Sequence, residues 1–370
     1  MKFNINSRVL EKLLAKVLPV VPHKTPQPIL ENFYIVIKEN KLLVYATDNE
    51  IAIKATSYIN AEDEFEGVVP AKLLYEIVRS LGDEDIRFEA SPDYKLKIKT
   101  DNGQYFLTYL TDVEYPVMTA PTKETKITLS GPELKRAFDL TTYAVSREPA
   151  RPAMTGELLE ISEEGVKFVA TDGHRLIRYL YKAHESEPVQ QYIIPEKAVT
   201  IMSKLFDEGE VNLYPDDTVL GVEIENVEMI TKLIGHKYPD YSSVIPLDNE
   251  KSMKVNKNKL LSSIKRMLNF GATNFHQVKL TIYEDVLEIS ADDAEKGHRG
   301  VDKMPCEFNG ETMDIAFNTS YLADVLTHIE GDEVIFKINL PTKAIIILPS
   351  AQKPKEELLT LIMPVRLNNG

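Results

Sequence analysis

Apolar positions along the chain fall into two periods. Over residues 7–18, Val9, Leu10, Leu13, Leu14, Val17 and Leu18 recur at three- and four-residue steps, the stripe of an amphipathic helix. A second helix is predicted over 70–81, with Pro70 at a first-turn position where its missing N–H is not needed. Between and beyond these helices, short runs alternate apolar with polar residues, the period of half-buried strands. Turn signals interrupt them at Gly67, Ser91-Pro92-Asp93 and Asn102-Gly103. The pattern then returns, predicting further helices over 131–145, 195–206, 256–268 and 318–329.

Four landmarks recur three times each. A short strand runs into a helix at Lys2-Phe3-Asn4-Ile5-Asn6, Lys126-Ile127-Thr128-Leu129-Ser130 and Met253-Lys254-Val255-Asn256. An alternating strand ends in a polar turn at Thr47-Asp48, Thr171-Asp172 and Ala291-Asp292. A strand breaks into a helix at Pro70, Pro195 and Asn318, and an apolar strand reaches a proline at Tyr115-Pro116, Tyr238-Pro239 and Met363-Pro364. Pro70 to Pro195 spans 125 positions, Pro195 to Asn318 123, Pro116 to Pro239 123 and Pro239 to Pro364 125. A period near 124 in a chain of 370 residues gives three similar domains, each of ordinary size. Their expected boundaries are 1–122, 123–248 and 249–370. The expected class is α+β, each domain a β-sheet with two helices on one face.

Charge changes this picture. Lys plus Arg number 43 against 57 Asp plus Glu, a net charge of −14, which argues against holding nucleic acid by bulk charge. Yet the six helix windows together carry +7, which leaves −21 on the remaining positions. Arg8, Lys12 and Lys16 recur every four residues opposite the apolar stripe of their helix. Lys72 and Arg79, Lys197 and Lys204, and Lys259 and Arg266 each stand seven apart, nearly superposed along theirs. A positive surface segregated on an acidic body suits a polyanion met on one face only. The single cysteine, Cys306, excludes an internal disulfide and a multi-cysteine metal site. No apolar stretch approaches the ~20 residues of a membrane span, and the expected compartment is the cytoplasm.

Val169-Ala170-Thr171-Asp172-Gly173-His174-Arg175-Leu176, then Tyr238-Pro239-Asp240-Tyr241, then Met363-Pro364-Val365-Arg366-Leu367, closely resemble the bacterial DNA polymerase III beta subunits, the sliding clamps. The likeness runs through all three repeats in order. It implies the DNA clamp fold and a head-to-tail homodimer closing as a ring around double-stranded DNA. It implies a processivity factor without catalytic activity, cofactor or metal. The partners it implies are the DNA polymerase catalytic subunit, the clamp loader and other replication and repair proteins that carry a clamp-binding motif. Twelve helices from two copies, spaced ~8–10 Å, would enclose a hole roughly 20–30 Å wide.

By the same resemblance, Thr171, Gly173, His174, Arg175 and Leu176 line a partner-peptide pocket, with Met154, Pro239, Val244, Met363, Pro364, Val365 and Arg366 as its other walls. Met and Pro suit a lining that accepts Leu and Phe side chains. Ser242 and Ser243 stand where the family often has Arg before the pocket valine. The DNA-facing residues would be Lys12, Lys16, Lys24, Lys72, Arg79, Arg147, Arg151 and Lys197. At the ring joint, Phe270 would face Tyr105 and Leu107 of the partner, and Asn269 replaces an apolar neighbour. Two other classes compete. A nuclease or phosphatase would need clustered carboxylates, for which Asp216-Asp217 and Asp292-Asp293, both in expected turns, are the candidates. A non-DNA oligomeric scaffold would explain the repeats but not the basic helix faces.

Overall fold

The computed structural model describes residues 2–111, 113–182, 189–206, 208–270, 277–293 and 296–366. Six helices lie close to the predicted windows: α1 (Ser7–Val17), α2 (Ala71–Ser80), α3 (Gly131–Thr141), α4 (Glu196–Leu205), α5 (Lys257–Met267) and α6 (Thr319–His328). Their starts follow from local chemistry. Asn6, Asn256 and Asn318 cap α1, α5 and α6 by accepting from the first-turn amides. Ser130 and Glu133 close a reciprocal box at α3, Ser130 Oγ accepting from Glu133 N and Glu133 Oε2 from Ser130 N. Leu10, Leu13, Leu14 and Val17 of the α1 stripe are buried, whereas Val9 is exposed.

Each repeat runs strand, helix, four strands, helix, three strands, apart from the two-residue strand Asn60–Ala61 in the first. In the first two repeats the strands divide between two sheets, whereas those of the third all belong to one twelve-stranded sheet. In the first repeat, Lys2–Asn6, Asp85–Ser91, Lys95–Lys99 and Gln104–Thr108 belong to a five-stranded sheet, and Asn32–Lys38, Lys41–Thr47, Ile51–Tyr58 and Phe65–Pro70 to another. Val68 and Leu110 bridge the two with paired backbone bonds of 2.8 and 2.9 Å. In the third repeat one long strand, His298–Phe308, passes from one ladder to the next. Up to Pro305 it pairs with Val286–Asp293, and beyond it with Lys251–Asn256. Pro305 lacks an N–H and sits where the ladder changes partner.

The chain divides into two units, residues 1–135 with 201–233, and 136–200 with 234–370, so the second repeat is shared. One rule of strand addition builds both. In the first unit Ile51–Tyr58 pairs antiparallel with Val227–Lys232, extending that sheet to eight strands. In the second, Arg175–Tyr181 pairs antiparallel with Glu356–Ile362 inside a twelve-stranded sheet. The last strand of one repeat thus pairs with the fourth long strand of the repeat before it. Among the described residues, Gln104–Thr108 stays at the end of its sheet, and residues 298–304 pair on one side only.

Two expectations need correction. Tyr115-Pro116 and Tyr238-Pro239 do not end strands; they lie in extended linkers. Pro116 and Pro121 cannot donate to a ladder, so the segment is held by side chains instead. The Tyr115 hydroxyl donates to Asn32 O at 2.9 Å, and Tyr45 Oη accepts from Met118 N at 2.9 Å. Gly67 is no turn but lies within the strand Phe65–Pro70, where a Cβ would stand 2.7 Å from the Phe65 ring and 3.2 Å from Leu110 O.

Candidate functional site

The turn after strand Gly165–Thr171 is built from its own side chains. Gly173 takes φ +86°, a conformation that L side chains rarely adopt. Asp172 Oδ1 accepts from His174 N (2.9 Å) and Arg175 N (3.0 Å), while Asp172 Oδ2 accepts from Arg175 Nε (3.1 Å). The Thr171 hydroxyl donates to Arg175 O (2.7 Å) and accepts from Gly173 N (3.1 Å). Thr171 and Arg175 therefore hold the turn from within, and Gly173 and His174 are left exposed at its tip.

The C-terminal strand reaches this tip by register. Arg175 opposes Ile362 and Leu176 opposes Leu361, so Met363 N lands 2.8 Å from His174 O. Met363 is 40 % exposed and Val244, on the turn Ser242–Val244, 53 % exposed. Pro239 lies between Tyr238 and Tyr241, whose rings join the buried cluster of Leu158, Val169, Leu176 and Leu361. Tyr238 donates to Val169 O (3.3 Å) and Tyr241 to Glu160 Oε1 (3.0 Å), which fixes the linker that carries Val244. Met154 approaches from the third side, its Cε 3.6 Å from where a Gly173 Cβ would stand. Pro364 is half-buried, and Val365 N bonds Ala316 O (2.8 Å), tying this end to strand Met313–Asn318. Arg366 is exposed, and Leu367 lies outside the described residues. An apolar surface with exposed methionine, valine and proline, framed by backbone groups, can take an extended peptide with apolar side chains.

Leu176 is only 2 % exposed. It forms the floor beneath this surface, so a charge there would disrupt the fold along with binding. The residues that test the surface are Met363 and Val244.

Lys12, Lys24, Lys72, Arg79, Arg147, Arg151 and Lys197 are all exposed, and Lys16 is half-buried with Nζ 3.4 Å from Asn226 Oδ1. Lys72 Nζ lies 2.9 Å from His23 Nδ1, beside Lys24 in the 22–28 loop. Arg151 also borders the turn, its Nη1 standing 2.8 Å from where a Gly173 Cβ would be. At the expected joint, Tyr105 is partly exposed, whereas Leu107 is 3 % exposed and packs into its own unit opposite Leu96. Phe106, on the other face of that strand, carries the larger exposed ring and has Lys97 Nζ 5.5 Å from its centroid. Phe270 lies against the strand with the open side: a Gly300 Cβ would stand 2.8 Å from its ring.

The family models settle the relationship. The model described as the DNA polymerase III beta subunit N-terminal domain matches residues 1–119, that of the central domain 128–240 and that of the C-terminal domain 242–366. The chain belongs to the DNA polymerase III beta subunit family. A relative named beta sliding clamp from Chlamydia pneumoniae is 28% identical over 375 residues, covering 100% of both chains. The beta sliding clamp of Pseudomonas aeruginosa is 27% identical over 374 residues, covering 99% of this chain and 100% of that one. Solved sliding clamps superpose throughout. That of Pseudomonas aeruginosa bound to griselimycin has a TM-score of 0.94 at 26% identity, covering 99% of this chain and 100% of that one. That of Bartonella birtlesii bound to griselimycin has a TM-score of 0.92 at 27% identity with the same coverage. The match is to three domains of sheets and helices, as the repeats predict.

The carboxylate pairs do not assemble a reaction centre. Asp216 Oδ2 accepts from Thr122 N (3.1 Å) and its Oδ1 from Asp217 N (2.7 Å), the bonds of a turn. Asp292 and Asp293 end the strand Val286–Asp293 instead of lying in a turn, and Asp293 pairs with Lys296 (3.1 Å). Among the described residues no three His, Cys, Asp or Glu side chains gather to hold a metal, and no helix is long and apolar enough to cross a membrane.

One buried acid escaped the sequence reading. Glu157 is fully buried, and burial pushes its carboxyl up to about 8 against the opposing hydroxyls of Thr142 and Thr141. Glu157 Oε1 lies 2.7 Å from Thr141 Oγ1 and its Oε2 2.7 Å from Thr142 Oγ1, the two hydroxyls that work against that rise. A folded-state value above the unfolded 4.5 means stability is greatest below pH 4.5 and falls as pH rises to about 8. Glu157→Gln is expected to remove that decline, by on the order of 4 kcal/mol across the window, in urea unfolding at pH 5 and pH 9. An unchanged pH slope would contradict a protonated Glu157.

Proposed function

We propose that the chain is a DNA sliding clamp: two copies close head-to-tail into a ring around duplex DNA and tether polymerases and other partners by the peptide surface. The observation that carries this reading is the unfinished rule of strand addition. Repeats one and two, and two and three, are joined when the last strand of one meets the fourth long strand of the one before. The last strand of the first repeat, Gln104–Thr108, and the open side of residues 298–304 are the complementary pair left over. Joining them in a second copy, and the second copy's in the first, uses a heterologous contact that closes after two steps. Closure within one chain would enclose six helices and leave a hole of under ~10 Å, too narrow for a duplex. Phe270 beside Gly300 and Tyr105 on the leftover strand supply the apolar part of the joint.

The acidic body carrying basic helices gives a lining that attracts phosphates weakly enough to slide. On this reading the protein does no chemistry of its own. It works in the cytoplasm with a polymerase catalytic subunit, a clamp loader and other motif-bearing partners, with domain boundaries near residues 122 and 248. No observation favours a scaffold without DNA. Charge reversal at Lys12, Lys72 and Lys197 tests the lining, because all three are exposed on helices whose apolar sides are buried. The triple variant should fold and dimerise normally but load onto DNA poorly, its salt slope falling by about 0.9 for every phosphate it no longer neutralises. Loading equal to wild type at low salt would remove these residues from the DNA face.

A further inference from the structure

Arg175 lies in a ladder of rings that no peptide contact explains. Its guanidinium carbon lies 5.2 Å from the Tyr143 ring and 4.7 Å from the Tyr321 ring. Outside these, the His328 ring stacks on Tyr143 (3.9 Å, 7° between planes) and the His174 ring on Tyr321 (5.7 Å, 24°). The guanidinium edges are also taken: Nε donates to Asp172 Oδ2 (3.1 Å), Nη1 to Asp324 Oδ2 (2.7 Å) and Nη2 to Tyr143 O (2.9 Å). Tyr321, Asp324 and His328 all stand on α6, one helical turn apart, whereas Arg175 and Asp172 belong to the second repeat. The cation is too buried to trade these partners for water.

We propose that Tyr143 and Asp324 are positioning residues of the peptide surface, acting through Arg175. This rests on the peptide-binding reading above. Arg175 holds Asp172; Asp172 holds the amides of His174 and Arg175; and His174 O receives Met363 N. Fixing the guanidinium from α6 therefore fixes the tip of the turn and the start of the 363–366 segment before a peptide arrives. A preformed site binds more tightly because less ordering is left for the moment of binding. Helix α6 becomes a lever on peptide affinity although Asp324 and Tyr143 sit on the far side of Arg175 from His174 and Met363 in the order of bonds. By linkage, a bound peptide stabilises this corner of α6 by the same factor.

The test uses the full-length dimer and a short fluorescein-labelled peptide ending in Leu-Phe, read by anisotropy. Tyr143→Leu removes one face of the ladder and is expected to weaken binding roughly tenfold, and Asp324→Asn about fivefold. Tyr143→Phe keeps the ring and is expected to restore binding to within twofold of wild type, which loss of general stability in Tyr143→Leu would not explain. Amide exchange without peptide supplies the second arm. In Tyr143→Leu and Asp324→Asn the amides of 174, 175 and 363 should exchange faster, with those of strand Gly156–Ser162 unchanged. If wild type does not bind the peptide, the peptide-binding reading fails while the exchange arm still decides the grip. Unchanged exchange at 174, 175 and 363 in both variants overturns the proposal, as does undiminished affinity in both.

Discussion

Phe270→Arg is expected to yield folded monomers at micromolar concentration, where the proposed ring makes the unaltered chain a dimer. The ring of Phe270 is half-buried beside Gly300, its backbone held by Phe270 N donating to Met267 O at 3.0 Å. The α5 core beside it is made by Leu260, Ile264 and Met267. An arginine there can turn to water in the monomer but is trapped without a counter-charge in the closed joint. An unpaired charge in an apolar interface typically costs several kcal/mol, enough to dissociate a micromolar dimer. Sedimentation velocity reads the outcome, and the thermal midpoint should move by only a few degrees. Tyr105→Asp, on the opposing strand, should produce the same monomer. Leu107→Arg should not: Leu107 is buried opposite Leu96, and its loss is expected to unfold the domain first. Persistent dimers in Phe270→Arg would move the joint elsewhere.

The second large effect concerns the peptide surface. Val244→Asp combined with Met363→Asp is expected to weaken a Leu/Phe-bearing peptide by roughly thirtyfold or more, the loss typical of central apolar contacts. Both side chains are exposed, so neither substitution leaves a buried charge in the free protein. The dimer should persist, since Phe270 and Tyr105 are untouched. Deleting residues 363–370 should abolish peptide binding outright, because it removes the Met363 N–His174 O bond and the Val365 bridge as well. Calorimetric titration of the doubly substituted dimer checks the first expectation. Affinity equal to wild type would exclude this surface as the peptide site.

Periodicity made the repeats legible, because helices whose stripe faces a sheet and strands with one wet side leave strong signatures. All six helices lie within a few residues of where the apolar spacing puts them. Strand grouping was not legible. A strand such as Ile51–Tyr58 reads the same whether its second neighbour comes from its own repeat or from Val227–Lys232 of the next. The prolines at 116 and 239 misled for a related reason: Tyr115 and Tyr238 are as buried as strand residues, but through linkers held by their hydroxyls.

The candidate site was half legible. The turn motif Thr171-Asp172-Gly173-His174-Arg175 marked the place, and Gly173 takes the backbone conformation its residue type favours. Which of its side chains face outward was hidden. Thr171 is spent within the turn, Arg175 is buried between Asp172 and the residues packed behind it, and Leu176 lies in the core beneath. Tyr321, Asp324 and Tyr143 gave no signal, since nothing in a helix stripe marks a ring that stacks on a distant guanidinium. Glu157 was equally silent, because a carboxyl that keeps its proton looks, in a sequence, like any other acid in an alternating strand.

The central claim is that DNA is held by topology rather than by grip. It is tested most directly by loading the dimer onto a nicked circular duplex with a bacterial clamp loader and ATP, removing the loader, and cutting the circle once before gel filtration. The account predicts that the protein co-elutes with intact circles at moderate salt and leaves the DNA fraction when the circle is linearised. Protein that remains on linear DNA as it does on circles, or that never survives passage with closed circles, would contradict a ring around the duplex.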